Sequence, residues 1–360
     1  MILRPIPILA GALMLATSAS AQVSLTPPAA ETPAAKPQAK AAPKPPAAAK
    51  KPPAPAADAK PAGKPPPPPP AAAATPPSAP EDPNVDLVYG AYQRGQYKTA
   101  FDLAIPRAQA GDVKAMTMLG ELYSNTLGIK RDYAKAVDWF KRGADGGDRE
   151  AMFALAMMRI AGRGCSVDKQ DGVKLLASAA KLGEAKAAYN LALLYLDGQT
   201  LPQDLKRSAE LLRMAADAGN PEAQYALATF YKEGTGVEKD VDKSVRLLQA
   251  AVLADNVDAE VEYAIALYNG TGTPKNQAAA VALLRKAAKQ NSAIAQNRLP
   301  HVLLSGQGAP MDKVEALKWH LVAKTAGKGD PELDETFSTL SPEERAKAEQ
   351  AARRWLGAAK

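Results

Sequence analysis

Cysteine is nearly absent: Cys165 stands alone among 360 residues, which excludes an intramolecular disulfide and any cysteine-built metal knuckle. Histidine is almost as scarce. With only His301 and His320 to draw on, histidine-dependent nucleophilic or metal chemistry has little material, and no metal or cofactor is expected. No HExxH, EF-hand or Walker loop occurs, and the Gly-x-Gly segments lack a following Lys-Ser or Lys-Thr that would cradle phosphate. A basic stripe is missing too. Of the formal charge of +7, Arg4 and the excess of seven lysines over four acids in Gln22–Asn84 account for four, so the remainder gives no reason to expect a nucleic acid partner.

The one long apolar run, Ile6–Ala16, follows Arg4 and leads to Ala19-Ser20-Ala21. It is shorter than the roughly 20 residues that span a bilayer, so residues 1–21 read as a secretory signal cleaved after Ala21, giving a periplasmic or secreted protein; an uncleaved anchor is the alternative. Residues 22–84 hold 21 of the 31 prolines, amid Ala and Lys and without an aromatic residue. This segment is expected to be a disordered, polyproline-like linker. Its lysines would favour cell wall polymer or another anionic surface, or simply keep it soluble.

From Val85 onward the apolar residues recur at helical spacing, with no sustained alternation of the strand type. A 36-residue period organises them. Ala115, Ala151, Ala187, Ala223, Ala259 and Ala295 form one column; four positions on come Leu119, Leu155, Leu191, Leu227, Tyr263 and Leu299. A small-residue column follows: Gly120, Ala156, Ala192, Ala228, Ala264 and then Pro300, whose ring puts that helix in question. Gly162-Arg-Gly164, Gly234-Thr-Gly236, Gly270-Thr-Gly272 and Gly306-Gln-Gly308 close the first helix, with partial copies at Gly128 and Gly198. Asp132, Asp168, Asp204, Asp240, Asn276 and Asp312 then stand where a second helix needs a cap. A large residue follows, Trp139, Leu175, Leu211, Leu247, Leu283 or Trp319, and Gly147, Gly183, Gly219, Asp255, Asn291 or Gly327 ends the unit.

One such helix pair cannot bury its apolar face, whereas stacked pairs share a continuous core, so the folded part is all-α and solenoidal. Six units occupy 112–327. Residues 85–111 read as a shorter hairpin turning at Arg94-Gly95-Gln96 and capping one end. Residues 328–360 read as the other cap, with a short helix from Pro331 to Leu340 and a second opened by Ser341-Pro342-Glu343-Glu344, which runs to about Leu356.

The combination Ala-x-x-x-Leu-Gly-x-x-Tyr, Gly-x-Gly, Asp, a large residue, Ala-Ala and Gly at this period resembles the Sel-1-like repeat of the tetratricopeptide superfamily, over Ala115–Gly327. The resemblance implies a right-handed superhelix of antiparallel helix pairs that binds proteins or peptides on its concave side, and, in bacteria, secreted or periplasmic adaptors.

Counting 100° per residue, the positions of Thr117, Glu121 and Ser124 point away from the Ala and Leu columns, and in tetratricopeptide repeats the matching positions line the ligand groove. Phe153 and Met157, Tyr189 and Leu193, Tyr225 and Thr229, then Ile265 and Tyr268 fall there. They are expected to form a partner-binding groove, although tight curvature would instead pack them into the core, Leu193 and Ile265 above all. The expected role is therefore a non-enzymatic scaffold or adaptor in the bacterial cell envelope, holding a protein or peptide. An accessory of peptidoglycan or polysaccharide processing, or an envelope-anchored spacer, are the alternatives. The first would need carboxylates converging in the groove, where the predicted columns supply only Glu121.

Overall fold

The computed structural model describes residues 86–358; the expectations for the signal segment and for the Pro/Ala/Lys linker concern residues that lie outside this range. Within it the chain forms sixteen helices and no strand. A short hairpin, α1 (Leu87–Gln93) and α2 (Tyr97–Gln109), precedes six pairs of 13-residue helices. These are α3 (Val113–Asn125) with α4 (Tyr133–Asp145), α5 (Arg149–Ala161) with α6 (Lys169–Lys181), and α7 (Ala185–Asp197) with α8 (Leu205–Asp217). Then come α9 (Pro221–Glu233) with α10 (Val241–Leu253), α11 (Val257–Asn269) with α12 (Gln277–Lys289), and α13 (Ala293–Ser305) with α14 (Lys313–Thr325). Helices α15 (Pro331–Ser338) and α16 (Pro342–Ala358) close the stack, and each helix of the repeats packs on its sequence neighbours.

Caps explain where the helices of the repeats start, and left-handed residues where the first helix of each pair stops. Asp132, Asp168, Asp204, Asp240, Asn276 and Asp312 each accept from the amide three residues on, as the sequence pattern requires. A second capping column escaped that reading: Asp112, Asp148, Asn220, Asn256 and Ser292 do the same for the first helices, and Glu184 caps its helix by accepting from the amide two residues on. The backbone N–H of Asp132, Asp168, Asp204, Asp240 and Asn276 also donates to a carbonyl near the end of the preceding helix, at 2.8–3.0 Å, which fixes the hairpin. At the other end Ser341 and Glu344 form the reciprocal capping box, Ser341 N–H donating to Glu344 Oε2 at 3.1 Å and Glu344 N–H to Ser341 Oγ at 3.3 Å.

The two glycines of each Gly-x-Gly loop work differently. The first ends the helix with a left-handed residue, φ +64° at Gly162 and +80° at Gly234. The second lies against the preceding unit: a methyl group on Gly164, Gly236 or Gly308 would collide with the backbone carbonyl of Tyr133, Leu205 or Gln277. Glycine there is an inter-repeat contact, which the conformational argument from sequence did not reveal.

Two sequence expectations need correction. Pro300 does not break its helix, since α13 runs continuously from Ala293 to Ser305 with Pro300 buried inside it. In four of the six second helices the deepest large residue lies one position after the predicted one, while Leu211 and Trp319, 4% and 1% exposed, are buried where predicted. Phe140, Leu176, Leu212, Leu248 and Leu284 are at most 4% exposed, whereas Trp139, Leu175, Leu247 and Leu283 are only half-buried. A helix of 3.6 residues per turn rotates its buried stripe by 100° per position, so a one-residue offset moves a side chain from the seam to its shoulder. In the sixth copy this column is filled by His320, which is 1% exposed.

Candidate binding groove

The first helix of each pair presents the predicted groove columns. Phe153 and Met157 on α5, Tyr189 on α7, Tyr225 and Thr229 on α9, and Ile265 on α11 are half-buried, which leaves part of each side chain to a ligand. Leu193 and Tyr268 are not so placed. They are 5% and 6% exposed and belong to the core, and the Tyr268 hydroxyl is satisfied by Ser305 Oγ at 3.1 Å. For Tyr268 that contact comes from the neighbouring first helix, α13. The same holds for Thr117, whose hydroxyl lies 3.1 Å from Val113 O and 3.2 Å from Asp148 Oδ1, the cap of the next first helix.

Carboxylates surround the two tyrosines. Burial first, then the charges of Glu222 and Asp258, push the Tyr189 hydroxyl up to about 12; burial, then Glu262, Asp258 and Glu233, push Tyr225 up as well. Partial desolvation and the neighbouring Glu262 hold the Asp258 carboxyl above its ordinary value. Glu262 is paired with Lys232 Nζ at 2.8 Å. The tyrosine pair thus sits on an apolar strip with an acidic edge, and both hydroxyls stay protonated, free to donate to an acceptor.

A cavity of about 670 Å³ opens at the amino-terminal end of the same face. Its walls include Tyr89, Tyr92, Met118 and Phe153, with Asp86, Glu121, Glu150 and Glu184 as carboxylates. Burial, reinforced by Glu150, raises the Glu121 carboxyl above its ordinary value. Burial, then the Glu121 charge and Tyr97, push the Tyr92 hydroxyl up to about 12. Tyr89 and Tyr92 come from the capping hairpin, outside the 36-residue register, so a column count does not reach them. Their i, i+3 spacing on α1, which puts both rings on one helix face, is the signal that was available.

The two histidines do not converge with the groove acids into a catalytic arrangement. Both clamp the carboxy-terminal cap: His301 Nε2 lies 2.9 Å from Asp330 Oδ2 and His320 Nε2 lies 2.7 Å from Asp334 Oδ1. Among the described residues no group of three or more His, Cys, Asp or Glu could hold a metal ion, and no helix is long and apolar enough to cross a membrane.

The Sel1 repeat model matches residues 113–148, 149–184, 185–220, 221–256, 257–292 and 293–328, six consecutive copies of 36 residues, and the chain belongs to the Sel1 repeat family. Such repeats mediate protein–protein interaction, and the scaffold is typically non-catalytic. Among solved structures the chain is similar to a Sel1 repeat protein from Oxalobacter formigenes, with 25% identity and a TM-score of 0.61 over 68% of this chain and all of that one. It also shares its fold with c5321, a protective antigen of uropathogenic Escherichia coli displaying an SLR fold, at 24% identity and a TM-score of 0.51, covering 72% of this chain and 64% of the other. No curated protein matches the chain.

Proposed function

We propose that this protein is a non-catalytic adaptor of the bacterial cell envelope that holds a partner protein or peptide along the face carried by α5, α7, α9 and α11. The observation that carries this reading is the half-buried strip of Phe153, Met157, Tyr189, Tyr225 and Ile265, apolar in positions where a merely solvated face would be polar. An extended segment or an amphipathic helix would cover it, with the tyrosine hydroxyls supplying directed hydrogen bonds. The envelope location rests on the charged, apolar and small-residue succession of residues 1–21. In this reading the lysines of the Pro/Ala/Lys segment would touch cell wall polymer or another anionic surface.

The test replaces Tyr189 and Tyr225 together with Ser. Partner capture, read by photocrosslinking from position 157 in cells, should fall while helicity and melting change little. Unfolding of the double variant would instead show both rings to be core. Mass spectrometry of the mature amino terminus checks cleavage after Ala21 and separates a free adaptor from an anchored spacer.

A further inference from the structure

The cavity at the amino-terminal end of the groove carries a charge imbalance that the stacking of helices does not require. Four carboxylates, Asp86, Glu121, Glu150 and Glu184, face three cations there, and two of the cations are already paired. Arg107 Nη1 donates to Asp86 Oδ1 at 2.7 Å and its Nε to Asp112 Oδ2 at 2.7 Å, while Lys114 Nζ lies 2.6 Å from the buried Asp148 Oδ2. The third, Lys186, is exposed at the rim, and among the described residues Glu121 makes no ion pair with it or with any other cation. Half-buried beside Tyr92, Glu121 has no cationic partner among the described residues, in a pocket where Tyr89, Tyr92, Met118 and Phe153 stand among polar and charged walls. Tyr89 on that wall is 54% exposed, a large ring left open to solvent.

A carboxylate flanked by ring faces is the environment an alkylammonium or guanidinium group seeks. The ring quadrupoles attract the cation, the carboxylate forms a charge-assisted hydrogen bond, and the methylene stem packs on Met118 and Phe153. The volume of about 670 Å³ lies in the usual range of ligand pockets and admits such a side chain together with the backbone that carries it. Further along the face the same sign prevails. Asp258 and Glu262 stand at i and i+4 on α11, a like-charge pair that disfavours the helix, and among the described residues Lys232 is the cation paired with it.

We infer that the cavity receives a lysine or arginine side chain of the partner's segment, with Glu121 as its charge partner and Tyr89, Tyr92 and Phe153 as its walls. The inference rests on the groove being the protein-binding face and deepens it: the partner segment is basic, and its cationic anchor enters at the amino-terminal end.

The probe is a fluorescein-labelled synthetic peptide of three Lys-Ala-Pro triplets, compared with the matching Glu-Ala-Pro peptide, and read by fluorescence anisotropy on the chain without residues 1–21. The lysine peptide should bind saturably and more weakly as salt is raised, the glutamate peptide should not bind, and Glu121→Gln should weaken binding roughly tenfold with unchanged melting. Tyr89→Ser, at an exposed position that the fold does not need, should weaken binding severalfold. The cavity assignment is overturned if the lysine peptide does not bind, if the glutamate peptide binds as well, or if both variants leave its affinity unchanged. In those cases, crosslinking from position 157 that still traps a protein in a Tyr189- and Tyr225-dependent manner keeps the groove as a binding face without this anchor; its loss as well would remove both.

Discussion

The Phe140 ring occupies space that the other repeats give to a side chain on the facing helix. A methyl group on Gly120 would lie 2.6 Å from Phe140 Cδ1 and Cε1. In the next four copies the same two columns hold Ala and Leu, Ala156 with Leu176 through Ala264 with Leu284, and in the last Pro300 with His320. Each unit therefore keeps a similar total volume in the seam while dividing it differently, as a close-packed interior demands.

Gly120→Ala should accordingly destabilise the amino-terminal end by about 1–3 kcal/mol through overpacking, despite the better helix propensity of alanine. Adding Phe140→Leu, which recreates the pairing of the neighbouring copies, should recover most of the loss. Thermal melts of the two single variants and the double variant complete a mutant cycle. Additive effects would show that the two positions do not compete for the same space.

Glu260, fully buried on α11, is held by Lys286 Nζ of α12 at 2.6 Å and accepts no other hydrogen bond. In the flanking copies this position is Gln224 or Gln296, whose Nε2 donates to Ala216 O at 3.3 Å or Ala288 O at 3.1 Å. Lys286 also bonds Asp255 Oδ1, and these carboxylates raise the ammonium well above its ordinary range. Lys286→Met, which strands a buried carboxylate, should lower the melting midpoint by several degrees. Glu260→Gln should melt at or above the parent, because the amide can reach the Val252 carbonyl as its counterparts do.

The carboxy-terminal cap should loosen in acid. Hydrogen bonds from His320 and Lys324 hold the Asp334 carboxyl below its ordinary value; at Asp330 burial opposes, but the His301 bond and charge prevail in the same direction. Folded values below the unfolded one of about 3.9 mean that this stability is present above that pH and is lost as pH falls through the folded values. Trp319 and Trp355 meet edge to face at 5.2 Å beside the cap, so tryptophan fluorescence should report the loosening below about pH 4. Asp334→Asn should flatten that acid limb while leaving the far-ultraviolet helix signal at pH 7 nearly unchanged.

Thr126 takes the left-handed position, φ +57°, that Gly162, Gly198, Gly234, Gly270 and Gly306 take in the other copies. Thr126→Gly relieves the β-branched strain but removes the bond from Arg131 Nε to Thr126 Oγ1 at 2.7 Å and adds freedom to the unfolded chain. The strain is the larger effect, and a net gain of about 0.5–1 kcal/mol is expected in chemical denaturation.

The periodic sequence by itself determined the all-helical stack, the six units, the Asp and Asn caps at the second helices, the left-handed helix stops and the capping box at Ser341. Each of these depends on a residue's own backbone preference or on neighbours within one turn, and such local chemistry is written in spacing. Tertiary structure alone decided which residues face another unit. It placed the second glycine of each loop against the preceding carbonyl, moved the deep column from Trp139 to Phe140, and tolerated Pro300. It also buried Leu193 and Tyr268 while leaving Tyr189 and Tyr225 half-open, and brought Tyr89 and Tyr92 of the cap to Glu121. These outcomes depend on how closely successive pairs approach and on which side chain fills the remaining volume, quantities that a helical wheel drawn on one unit does not contain.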